Sequence, residues 1–144
     1  MFKTVLVPTD GSPLSEKAID GAIDYARVAN AQVIGIAVVQ PLLDYVISSA
    51  AATAVASLTM YAEESAKANL DNFGRRVRES GVQYDTVLAK GDRPWMEIIA
   101  ACEASHCAAI FMGSHRLRGH AAYTVGSQTQ KVLAHSKVPV LIYR

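Results

Sequence analysis

Residues 3–7, Lys-Thr-Val-Leu-Val, form a short run rich in β-branched residues and stopped by Pro8, a pattern that predicts a strand. After Thr9-Asp10-Gly11, the pair Ser12-Pro13 signals a helix start: a hydroxyl that accepts an orphan amide, then a ring whose fixed φ suits the first helical position. Leu14, Ala18, Ala22, Ala26 and Ala29 recur near helical spacing, Ile19 and Ile23 widen the stripe, and the pattern ends near Asn30. Residues 32–39 make an apolar run interrupted by Gly35 and ending at Gln40-Pro41, which reads as a buried strand. Helical spacing resumes from about Thr59 through Tyr61, Ala62, Ala66, Leu70, Phe73 and Val77, and closes near Gly81. Residues 82–89 predict a third strand. A turn then leads to a third helix with Asp92 as its cap and Trp95, Ile98, Ile99 and Cys102 among its apolar positions. Residues 108–112 and 138–143 predict strands four and five, and a fourth helix starts after Gly126.

Strands that alternate with helices need crossover connections. The expected fold is therefore α/β: an open, doubly wound, five-stranded parallel sheet flanked by four helices, flavodoxin- or Rossmann-like, in a single domain over residues 1–144. Ligands of such sheets bind outside the carboxyl ends of the strands, where the strand order reverses. If strands one and four are neighbours there, the Asp10 turn and the loop after Gly113 face one crevice. Gly113, a basic loop, and Gly126-Ser127 opening a helix then read as an anion cradle, because a helix N-terminus carries unpaired N–H groups and about half a positive charge. The same residues also serve as a strand end, a turn and a cap without any ligand, and Asp10 is equally a turn residue. Neither a GxGxxG fingerprint nor a P-loop Gly-Lys-Ser/Thr is present.

Composition narrows the function. Half of the residues are hydrophobic and the formal net charge is +1, which argues against a general nucleic-acid binder. Arg75, Arg76 and Arg78 read as a solvated helix face. The uncharged stretch from residue 45 to 62 is too rich in Ala, Ser and Thr for a membrane span, and residues 42–58 read as a mobile cover over the crevice. With no signal-peptide pattern and two cysteines outside any disulfide framework, a cytoplasmic protein with free thiols is expected. Cys102, His106 and Cys107, or His115 with His120, lack structural-zinc spacing, so no metal site is expected; His135 complements a helix dipole. No nucleophile elbow surrounds Ser12 or Ser114, so no catalytic residue is assigned.

Four stretches together resemble the universal stress protein family over essentially the whole chain: Val-Pro-Thr-Asp-Gly-Ser at 7–12, Gly-Asp-Arg-Pro at 91–94, Met-Gly-Ser-His at 112–115, and Gly126-Ser127 followed by a helix and Val-Pro-Val-Leu at 138–141. The ATP-binding branch of that family carries Gly-x2-Gly-x9-Gly-Ser/Thr. Gly113, Gly126 and Ser127 match its first, third and last positions, but the second is Arg116. That side chain either fills the crevice or binds phosphate oxygens itself. The resemblance implies ATP or a related adenine nucleotide, with or without magnesium. It places Pro8, Thr9 and Asp10 against the adenosine, Val38 on the adenine face, and Met112, His115 and the amides of Gln128 and Thr129 nearby. It further implies a stress-response protein that pairs as a homodimer through the 138–143 strand and meets other, unknown proteins. The family's other branch, an interaction protein without nucleotide, and a slow ATPase are the alternatives.

Overall fold

The run after Lys3 forms strand β1 (Thr4–Pro8), and the chain continues as α1 (Pro13–Ala29), β2 (Gln32–Val39), α2 (Ser49–Glu79), β3 (Tyr84–Lys90), α3 (Pro94–Ala104), β4 (Ala109–Gly113), α4 (Ser127–His135) and β5 (Val140–Tyr143). The computed structural model describes residues 1–41, 49–114 and 126–144. All strand pairings are parallel and the order across the sheet is β3-β2-β1-β4-β5. The chain winds outward from β1 to β3, then returns to the other side of β1, so the order reverses between β1 and β4. This is the doubly wound sheet expected from the alternation of elements.

Residue parity divides the core. Val5, Val7, Val33, Ala109 and Phe111 face α1 and α2, where they meet Ala18, Ile19, Ala22, Phe73 and Val77. Leu6, Ile34, Ile36, Ile110 and Met112 face the other way, toward Ile98, Cys102 and Val132 of α3 and α4. Ser12 caps α1 through its hydroxyl, which accepts from the Ser15 amide at 3.2 Å. Asn30 ends that helix in the left-handed region, at φ 50°. Midway along α1, Gly21 lies under the Tyr143 ring of β5, and any Cβ there would overlap the phenol.

Some boundaries differ from the sequence reading. Helix α2 starts at Ser49, about ten residues before the apolar stripe, because its first turns are rich in alanine and need no stripe to stay helical. Residues 49–58 thus belong to a helix, and 42–48 lie outside the described residues. Asp92 does not cap α3: the N-cap is Arg93, extended at φ −124°, with no side-chain cap bond. Pro94 at the first helical position forces the residue before it out of the helical region. Strand β5 starts at Val140, since Pro139 has no N–H to give a ladder. Arg76 is not a solvated arginine. It crosses to α1 and pairs with Glu16 and Asp20, while Arg75 and Arg78 stay exposed.

Candidate functional site

The carboxyl ends of β2, β1 and β4 lie side by side at the reversal of strand order. Leu6 pairs with Ile110, and two residues further along the same register lie Pro8 and Met112. Val38 takes the equivalent face of the neighbouring strand, beside the cluster that contains Met112. Pro8, Val38 and Met112 therefore give three adjacent strand ends one apolar surface on the α3–α4 side, with Pro8 and Val38 partly exposed.

The β1–α1 turn forms one wall. The Thr9 amide donates to Ile36 O at 2.8 Å and so continues the sheet one step beyond β1. Asp10 is exposed, and its carboxylate accepts from the Ser12 amide at 2.9 Å, which fixes the direction of the acidic group. Gly11 has φ +78°, and a Cβ there would also meet Asn69 Oδ1 of α2 at 2.6 Å. The Thr9 hydroxyl is buried and has no hydrogen-bond partner among the described residues.

The start of α4 forms the other wall. Its N-cap is Gly126, without a side-chain acceptor, and its first intrahelical bond is Gln130 N–H to Gly126 O at 2.9 Å. The amides of Ser127, Gln128 and Thr129 precede that bond and are the orphan donors of the helix. Three contacts hold this end in place. Gly126 N–H donates to Ser114 Oγ at 3.0 Å, Thr129 Oγ1 donates to Gly113 O at 3.5 Å, and Gln128 Oε1 accepts from the Trp95 amide at 3.1 Å. At the far end of α4, the His135 ring lies 4.5 Å from the Trp95 ring, so the helix is clamped to α3 at both ends.

Pro8, Thr9, Asp10, Val38, Met112, Gly113, Gly126, Ser127, Gln128 and Thr129 are thus brought to one end of the sheet. His115 and Arg116 lie outside the described residues. Two contributions escape a sequence reading. Ser114 is a hydroxyl anchor for the α4 N-terminus across twelve positions, a spacing with no local signal. Gln128 acts through its side chain on α3, whereas only its amide follows from helix geometry. Among the described residues no group of three His, Cys, Asp or Glu side chains is placed to hold a metal ion, and no helix is long and apolar enough to cross a membrane.

The sequence pattern of the family described as "Universal stress protein family" matches residues 1–144. The chain belongs to the universal stress protein family. Universal stress protein YxiE of Bacillus subtilis is 28% identical over 152 residues, with all of both chains covered. Universal stress protein UspA from Lactobacillus plantarum superposes with a TM-score of 0.82 at 22% identity, covering 99% of this chain and 97% of that one. A universal stress protein crystallised in complex with cAMP superposes with a TM-score of 0.73 at 23% identity, covering 99% and 97%. This universal stress protein shares with the two solved structures the α/β fold whose sheet sets its β1 and β4 ends side by side.

Proposed function

We propose that this universal stress protein binds an adenine nucleotide in the crevice between the β1 and β4 ends, and that occupancy changes its contacts with other proteins. One observation carries the reading: an apolar surface, an acidic turn and a helix N-terminus without a side-chain cap converge on one sheet end. Each suits one part of such a ligand. Pro8, Val38 and Met112 offer a surface for a base. Asp10 offers an exposed carboxylate whose direction the Ser12 amide fixes, and the buried Thr9 hydroxyl, which has no partner among the described residues, suits a ribose or base edge. The Ser127, Gln128 and Thr129 amides suit phosphate oxygens. The cAMP complex of a relative supports the choice of adenine. Nothing in this arrangement requires turnover.

The same reading places the protein in the cytoplasm, where nucleotide is available and the free thiols of Cys102 and Cys107 are the resting form. It also pairs the protein with a second copy through β5, which is an edge of the sheet and leaves Leu141 47% exposed. Sedimentation at micromolar concentration is expected to show a dimer, and a monomer alone contradicts that part.

Calorimetric titration of ATP, AMP and cAMP, with and without magnesium, tests the site. Saturable binding of one nucleotide per chain is expected, weakened about tenfold in Asp10→Ala by loss of one charge-assisted hydrogen bond. A wild-type protein silent at millimolar nucleotide overturns the proposal. Arg116, standing where the ATP-binding branch has glycine, favours one second reading, an interaction protein without nucleotide. Binding gained only in Arg116→Gly identifies that case.

A further inference from the structure

At the opposite end of the sheet from the crevice, α3 turns into β4 through a compact C-terminal motif. Cys107 N–H donates to Cys102 O at 2.9 Å, and His106 N–H donates to Glu103 O at 3.1 Å. His106 is left-handed, at φ 50°. These two bonds and one left-handed residue define a Schellman turn, in which the residue after the left-handed position packs against the residue five before it. That pair is normally apolar. Here it is Cys107 against Cys102, whose thiol donates to Cys107 O at 3.7 Å, and both belong to one buried cluster. Both side chains are buried, yet they line a cavity of about 460 Å³ together with Ile99, His106, Lys137 and Val138. Neither cysteine is used by the nucleotide crevice.

We propose that Cys102 and Cys107 are a redox-active dithiol, which a hydroperoxide entering this cavity converts to a disulfide within the chain. The turn already sets the two residues side by side across the bond from Cys107 N–H to Cys102 O, within one buried cluster, so no element has to move far for the sulfurs to meet. The order of events follows from the pair. Once Cys102 has lost the proton that it shares with Cys107 O, the Cys107 thiol is the neighbouring donor to the thiolate, which lowers the Cys102 pKa and raises that of Cys107, although burial and the Glu103 carboxylate oppose ionisation of Cys102. Cys102 is therefore the first nucleophile. Its thiolate attacks one peroxide oxygen, the O–O bond breaks, and the departing oxygen leaves with the former thiol proton as water or alcohol. Cys102 is then a sulfenic acid. The Cys107 sulfur attacks the Cys102 sulfur, the S–S bond forms as the S–O bond breaks, and the hydroxyl leaves with the Cys107 proton as water. Two thiols lose two electrons and one hydroperoxide gains them.

The test is exposure of the native, reduced protein to a small excess of hydrogen peroxide, followed by intact mass and thiol titration. The expected result is loss of both thiols together, a mass lower by two hydrogens, migration as a single chain without reductant, and full recovery with dithiothreitol. In Cys107→Ser the expected product is a Cys102 sulfenic acid that dimedone traps. Unreacted thiols, separate gain of oxygen at each cysteine, or disulfides only between chains overturn the proposal. The wild-type masses decide the question even where the serine variant folds poorly, and no outcome depends on nucleotide.

Discussion

Replacing Gly113 by alanine is expected to cost the fold about 3 kcal/mol and to weaken nucleotide binding in the same variant. A Cβ at this position would lie 2.7 Å from the carbonyl carbon and 2.8 Å from the carbonyl oxygen of Leu14. Those are backbone atoms in the first turn of α1, which the Ser12 hydroxyl and Pro13 hold in place, so no side-chain rotation relieves the overlap. Either the β4 end or the α1 start must withdraw. The first carries Gly113 O and Ser114, which position the start of α4; the second follows directly on the Asp10 turn. Both walls of the crevice thus depend on this one missing methyl group. The direction of the absent side chain also matters, since it points to α1 whereas α4 packs on the other face of the sheet. The glycine that opens the family motif is explained here by helix-to-strand contact, and its presence is not by itself a sign of phosphate. Urea unfolding measures the first effect and calorimetry the second. A Gly113→Ala protein as stable as wild type shows that the Leu14 contact does not set the residue.

The legible parts of this chain are those governed by local chemistry. Ser12-Pro13 states the start of α1 because hydroxyl and ring each solve a problem of the same helix end, and the alternation of strands with helical stripes states a parallel sheet. The convergence of Asp10, Gly113 and Ser127 was legible once β1 and β4 were taken as neighbours. The start of α2 was not, because residues 49–58 are alanine-rich and lack the apolar stripe by which a packed helix announces itself. Asp92 misled because a good capping residue stood one position before Arg93, and Pro94 fixed the register instead. Contacts that side chains make with distant residues had no signal at all: Arg76 with Glu16 and Asp20, the Ser114 hydroxyl with the Gly126 amide, the Gln128 side chain with the Trp95 amide. The Cys102–Cys107 contact lies between these cases. Its spacing of five is that of a Schellman pair, but only the left-handed His106, an unusual residue for that position, reveals it.

Phe73→Ala is expected to be the most destabilising of the simple truncations, at about 4 kcal/mol. Phe73 is fully buried in the α1–α2 layer, and its ring covers the part of β2 where Gly35 leaves a gap. A Cβ on Gly35 would meet three ring atoms at 2.6 to 2.8 Å, so ring and glycine are two halves of one fit. The ring also meets Tyr84 edge-on, with centroids 6.4 Å apart at 74°, and so ties α2 to the edge strand β3 as well as to β2. Removing it leaves a void between rigid elements that cannot close fully, and the cost combines lost burial with that cavity. Urea titration is expected to show a lower midpoint with an unchanged slope. The pairing makes a sharper claim. Gly35→Val alone overpacks the site and destabilises, but in the Phe73→Ala background the same valine fills space that the ring vacated and adds a residue suited to a strand. The double variant is expected to be more stable than Phe73→Ala by about 1 kcal/mol, a coupling that only residues in contact produce. Additive losses in the cycle show that Gly35 is glycine for some reason other than the Phe73 ring.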